Sequence, residues 1–188
     1  YLIPSMLNES KIAERTLNLL ELKQKNSQKE EFELLKKWDA HSEKIKNPKH
    51  KVTIGMTGKY TSLRDAYASV IKALEHAATK LEAEVKIKWI ETTEIEDGKV
   101  KVEDALSDVD GVLVPGGWGN RGTEGKIMCL KYIRENNIPY LGICYGMQMA
   151  VIEFARNVCG IKNANSTEID PNTTEPVIDI LPEQKKVE

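Results

Sequence analysis

Histidine and cysteine are both scarce, with three of each in 188 residues. Cys129, Cys144 and Cys159 are too few and too widely spaced for a disulfide framework or a zinc knuckle. His41, His50 and His76 have no partner at ligand spacing, so no metal site is expected. Long hydrophobic runs are missing as well. No stretch approaches the roughly 20 apolar residues of a membrane-spanning helix, and no membrane partner is expected. Neither sign of charge dominates: 27 Lys/Arg against 29 Asp/Glu leave a net charge of −2. That balance offers no basic field to a polyanion, so nucleic acid is not an expected partner. No signal-peptide pattern opens the sequence, and a reducing, cytoplasmic setting is the expectation.

What is present is a globular balance of 40% hydrophobic and 30% charged residues, which excludes wholesale disorder. The length suits one ordinary domain plus an appendage. The sequence starts at Tyr1 rather than Met and ends in a charged stretch, so a piece of a longer polypeptide is expected.

Residues 1–48 are rich in Lys and Glu and contain no glycine. Apolar spacing predicts a helix over 8–25, with Ile12, Leu19 and Leu20 on one face. A second is expected from Ser27, where Ser27 and Glu30 fit a capping box. Phe32, Leu35 and Trp38 mark its expected buried stripe, and Asn47-Pro48 stops it. This portion reads as a helical linker, and 49–188 as a separate domain. From Lys51 onward, strands alternate with helices. Strands are expected at 52–56, 85–90, 111–114, 140–144 and 177–181, and helices at 63–81, 124–135 and 147–158. Short continuous apolar strands between helices predict an α/β fold, a mainly parallel sheet flanked by helices. Ligands in such sheets bind at the carboxyl ends of the strands.

The strongest local signal is Gly142-Ile143-Cys144-Tyr145-Gly146, between an apolar strand and an amphipathic helix. It is the nucleophile-elbow pattern with cysteine in place of serine. A tight strand-to-helix turn strains the backbone and leaves no room for side chains two residues either side. It also sets the sulfur at a helix N-terminus, which favours thiolate and can hold an oxyanion. The competing reading is a buried cysteine beside packing glycines. Cys129 and Cys159, without flanking glycines, read as core residues.

The second signal is Pro115-Gly116-Gly117-Trp118-Gly119-Asn120-Arg121-Gly122. Gly117-x-Gly119-x-x-Gly122 matches the dinucleotide fingerprint in the right context. The acid expected after the next strand is replaced by Cys144, however. A loop whose N–H groups face the sulfur, or a plain surface loop, fits as well. Gly55-x-x-Gly58-Lys59 only weakly resembles a phosphate loop, and its spacing reads more readily as a solvated loop. Residues 163–168 read as a polar loop in which no generic motif selects Glu168.

Taken together, GKY…DAYASV at 58–70, PGGWGNRGTEGK at 115–126, GICYGMQ at 142–148 and NANSTE at 163–168 resemble the glutaminase domain of the CTP synthase family. That family is a branch of the class I glutamine amidotransferases. KNPKHKV at 46–52 and ENNIPYLG at 135–142 fit as well. Residues 1–48 resemble the end of that family's synthetase domain and its linker. The resemblance implies a class I glutamine amidotransferase-like, flavodoxin-like fold. It implies Cys144 as the nucleophile that forms a glutamyl thioester. Gly117 and Tyr145 would supply oxyanion N–H groups. Gly146, Met147 and Gln148 would border the glutamine, and Glu168 would contact its amino group. Arg121, Gly122 and Glu124 match a lid loop that responds to GTP as activator.

This chain itself would need no cofactor or metal. The intact enzyme implied is a cytoplasmic ligase with L-glutamine as substrate. Its synthetase domain, in the same polypeptide, uses ATP and Mg²⁺ to aminate UTP to CTP, and the whole forms a homotetramer. Tyr145 departs from the family's usual leucine, and Trp118 from its common phenylalanine. The family's catalytic His-x-Glu lies beyond the segment matching 176–184, and no histidine follows His76. The 188 residues alone are therefore expected to hydrolyse glutamine poorly. The rival readings are another class I amidotransferase, or a non-catalytic nucleotide-binding module.

Overall fold

The computed structural model describes residues 1–23, 28–58, 64–117, 119–181 and 183–184. The chain divides into two compact units: Tyr1–Lys51 with Lys72–Glu84, and Val52–Ile71 with Val85–Glu188.

The first unit holds α1 (Ile3–Glu9), α2 (Ile12–Leu19), α3 (Gln28–Lys46) and most of α4 (Ala68–Lys80). The single helix expected over 8–25 is broken. Lys11 adopts φ 54°, a left-handed conformation that an α-helix cannot contain. Ile12, Leu19 and Leu20 are exposed, as are Phe32 and Trp38 of the expected buried stripe. The Trp38 indole instead donates to the Tyr1 carbonyl oxygen at 2.8 Å. The Tyr1 hydroxyl sits 2.6 Å from His76 Nε2. Helix α3 stops before Pro48, as its sequence predicts. Ser27, and with it the capping box, lies outside the described residues.

The second unit carries the sheet. Strands β1 (His50–Gly58), β2 (Ala83–Glu91), β3 (Gly111–Val114) and β4 (Tyr140–Gly142) stand in the order β2-β1-β3-β4. This is the flavodoxin-like order for these strands. Pairing of β1 with β3 and of β3 with β4 is parallel. Every residue of β3 is buried, which a continuous apolar run covered on both faces predicts. Helix α7 (Thr123–Glu135) buries Ile127, Leu130 and Ile133 at three-residue spacing. Helix α8 (Tyr145–Asn157) buries Tyr145, Met149 and Ile152 on one face. Its other face, with Val151 and Phe154, is exposed.

Short helices α5 (Thr92–Glu96) and α6 (Val102–Leu106) were not expected. They follow β2 and bury Ile95 and Leu106 in the core. A methyl on Gly125 would overlap the Thr92 carbonyl, so α7 packs tightly on α5. The last expected strand exists at Glu175–Ile178 (β6), outside the main sheet. It pairs in parallel with β5 (Ala164–Ser166), a segment whose polar residues read as a loop. Cys129 is buried as expected, but Cys159 is exposed. It lies past the end of α8 rather than on its buried face. No described helix is long and apolar enough to cross a membrane.

Candidate active site

Strands β3 and β4 end side by side, with Val114 opposite Gly142. The Ile143 N–H donates to the Val114 carbonyl at 2.9 Å, extending the pairing by one residue. Two loops therefore leave the same edge of the sheet. One is Pro115-Gly116-Gly117, the other is the turn at Cys144.

Cys144 has φ 51° and ψ −106° and precedes the first residue of α8. A non-glycine residue in this region costs about 1–3 kcal/mol and persists only where its surroundings enforce it. The enforcement is visible. A methyl on Gly142 would overlap the Tyr140 hydroxyl and lie 2.7 Å from the Met147 nitrogen, and one on Gly146 would overlap the Val114 carbonyl. The Tyr140 hydroxyl also donates to the Gly146 carbonyl at 2.6 Å, pinning the first turn of α8 to β4. Cys144 itself is exposed, which removes the reading of a buried packing cysteine. The sulfur-bearing residue thus stands at the N-terminus of a 13-residue helix.

The glycine loop approaches this turn. A Cβ built on Gly116 would be 3.7 Å from the Cys144 Cβ, whereas one on Gly117 would meet nothing within 4 Å. The loop turns back through Gly119 (φ 77°) and Gly122 (φ 73°). A methyl on Gly122 would lie 2.7 Å from Thr92 Oγ1. Trp118 lies outside the described residues.

Tyr145 is buried, and its hydroxyl donates to the Gly119 carbonyl at 3.1 Å. It also lies 3.0 Å from Thr123 Oγ1. Burial pushes its phenol pKa up; the Thr123 hydrogen bond opposes the rise, and Glu168, Glu124 and Glu96 add to it. The Lys126 ammonium sits 5.7 Å from the ring centroid. Met147 is exposed on the outer apolar stripe of α8. Gln148 is half-buried, and its buried Oε1 has no hydrogen-bond partner among the described residues.

The segment carrying Glu168 is brought to the same loop. Asn120 Nδ2 donates to the Ile169 carbonyl at 2.9 Å. Glu168 is exposed, and its N–H donates to Ser166 Oγ at 3.1 Å. Glu124 accepts both its contacts from Arg156 Nη1 at 2.9 Å, while Arg156 Nε donates to the Ala164 carbonyl at 2.7 Å. Arg121 is exposed on the turn. Asn120, Thr123 and Arg156 thus join the site's frame, although no spacing rule singled them out.

Gly55 is a packing glycine: a methyl there would lie 2.8 Å from Ile90 Cδ1, so β1 accepts its neighbour's side chain. Lys59, the other half of the phosphate-loop resemblance, lies outside the described residues. Among the described residues, no three His, Cys, Asp or Glu side chains cluster as a metal site would require.

The class-I glutamine amidotransferase family model matches residues 62–184. The CTP synthase of Caldanaerobacter subterraneus subsp. tengcongensis is 49% identical over 188 residues, covering 100% of this chain and 34% of that protein. The CTP synthase of Carboxydothermus hydrogenoformans is 57% identical over 154 residues, 82% of this chain and 28% of that protein. The chain thus spans about a third of the length of the curated relatives it matches. Among solved structures, the Trypanosoma brucei CTPS glutaminase domain with bound acivicin superposes with a TM-score of 0.64 at 40% identity. That match covers 70% of this chain and 50% of the other. With its strained cysteine at the joint of parallel strand and helix, the chain belongs to the class-I glutamine amidotransferase family.

Proposed function

We propose that this chain is glutaminase machinery of a CTP synthase. One observation carries the reading: Cys144 stands exposed in a strained, positive-φ conformation at the start of α8, with Gly116 beside its Cβ. In this reading, the Cys144 sulfur attacks the side-chain carboxamide carbon of L-glutamine. A C–S bond forms, and the carbonyl oxygen becomes an oxyanion. The peptide N–H groups of Tyr145 and Gly117 donate to it, as fixed dipoles that need no reorganisation. The oxyanion re-forms the carbonyl as the C–N bond breaks, the amide nitrogen takes the proton that the thiol gave up and leaves as ammonia, and a glutamyl thioester remains. Water hydrolyses that thioester to glutamate and regenerates the thiol.

Glu168 receives the substrate's ammonium group. Gly146, Met147 and Gln148 border the glutamine, and Gln148 Oε1, without a partner among the described residues, is an acceptor ready for a ligand donor. Arg121, Gly122 and Glu124 form the lid that responds to GTP. The ammonia serves a synthetase domain of the same polypeptide, where ATP and Mg²⁺ support amination of UTP to CTP. The whole is a cytoplasmic ligase, homotetrameric through that synthetase domain. No cofactor is assigned to this chain.

The test is a chimera in which these residues replace the matching segment of the Caldanaerobacter enzyme. The chimera is expected to make CTP from UTP with glutamine. Cys144→Ala should abolish that activity and keep CTP formation from ammonium chloride. Glutamine-dependent activity surviving Cys144→Ala would refute the reading.

A further inference from the structure

The proposed chemistry leaves the Tyr145 hydroxyl unused, because the oxyanion role needs only a backbone N–H, which any residue but proline provides. Yet this side chain is 2% exposed. A buried phenol hydroxyl costs free energy unless it is hydrogen-bonded. Here the hydroxyl donates to the Gly119 carbonyl at 3.1 Å and lies 3.0 Å from Thr123 Oγ1. Both partners belong to one segment, residues 119–123, which runs from the turn after β3 to Thr123, the first residue of α7. That turn has a second tether, from Asn120 Nδ2 to the Ile169 carbonyl at 2.9 Å. One tether thus leads to the residue after Cys144, and the other to the residue after Glu168.

We propose that Tyr145 is a positioning residue whose hydroxyl latches the 119–123 turn to the first residue of α8. The turn's order and the response of Cys144 to a glutamine-shaped reagent then change together. The latch rests on the hydrogen bonds alone; its coupling to glutamine rests on the glutaminase reading above. Leucine or phenylalanine at this position would keep the backbone N–H and the apolar packing and lose the latch. The tether from Asn120 to the Ile169 carbonyl would remain.

Tyr145→Phe in the full 188-residue chain tests this with two readouts. The first is limited trypsin cleavage after the exposed Arg121. The variant loses both contacts of the hydroxyl; loss of even one buried hydrogen bond shifts a local opening equilibrium by about three- to tenfold, and nicking should accelerate by at least that factor. The second compares two alkylating reagents at Cys144. A diazo-ketone glutamine analogue should show weaker apparent binding in the variant. Iodoacetamide, which needs no glutamine pocket, should react at its wild-type rate.

Thr123→Val should act in the same direction. The double variant should nick more slowly than the product of the single effects predicts, because the two hydroxyls share one contact. Thr123→Val also carries the test should Tyr145→Phe fold poorly. An unchanged nicking rate, or equal slowing of both reagents, would overturn the proposal. If the wild-type chain ignores the diazo-ketone at Cys144 while nicking still accelerates in the variant, the latch stands and the glutaminase reading falls.

Discussion

Gly146 lies directly against Val114: a methyl group on its Cα would overlap the Val114 carbonyl oxygen. The same carbonyl accepts the Ile143 N–H at 2.9 Å, so it cannot swing aside without breaking the pairing that sets the Cys144 turn. Gly146→Ala should therefore destabilise the chain by roughly 1–3 kcal/mol, the usual cost of forced overpacking. Alkylation of Cys144 should slow with it. Gly116→Ala adds a methyl at 3.7 Å from the Cys144 Cβ, an ordinary contact, and should fold normally. Urea denaturation of both variants checks this; a Gly146→Ala midpoint equal to wild type would mean the junction has room to spare.

The three thiols should react unequally. Cys144 and Cys159 are exposed, while burial pushes the Cys129 thiol up to about 12. At pH 8 roughly one Cys129 in ten thousand is thiolate, and it is shielded besides. An aromatic disulfide reagent should titrate two thiols promptly in the native chain and the third only in denaturant. Prompt reaction of all three would contradict the burial of Cys129.

Stability should fall in alkali. Burial raises the pKa of Cys129, Tyr140 and Tyr145 above their ordinary values. The folded state thus keeps protons that the unfolded chain releases. The contribution of Cys129 is complete below about pH 9 and is lost as pH rises towards 12. It amounts to about 1–2 kcal/mol lost by pH 10. The urea midpoint should drop between pH 8 and pH 10, and Cys129→Ala should flatten that drop. A midpoint that rises over the interval has the wrong sign for this account.

Expressed alone, the 188 residues should bind and react at Cys144 yet turn glutamine over slowly. His41, His50 and His76 all belong to the first unit, not to the unit that carries Cys144. Positioned acid–base catalysis is worth about 10²–10⁴ in rate. A glutamate-release assay should fall below the Caldanaerobacter enzyme by at least that range. Turnover at that enzyme's rate would reveal a base not recognised here.

The parts of the site that could be read beforehand are those where backbone geometry restricts the residue type. The strain at Cys144 demands glycine at 142 and 146, and both stand in the sequence. Helices α7 and α8 and strand β3 were legible because continuous burial writes an apolar period. Other features left no such mark. Strand β5 is Ala-Asn-Ser, held by pairing with β6 rather than by strand propensity. Helices α5 and α6 span five residues each, too short for a period to show. The break at Lys11 overrides an apolar pattern that no buried face rewards. Cys159 sits two residues beyond the helix end, where helical spacing no longer says which way a side chain faces. The Tyr145 hydroxyl meets its partners only through the fold, since Gly119 and Tyr145 are far apart in sequence.

The most direct measurement is peptide mapping by mass spectrometry after treating the native chain with a diazo-ketone glutamine analogue. The account predicts a single adduct on Cys144, prevented by excess L-glutamine, with Cys129 and Cys159 unmodified. An adduct on Cys159 or Cys129 with Cys144 left free would contradict it.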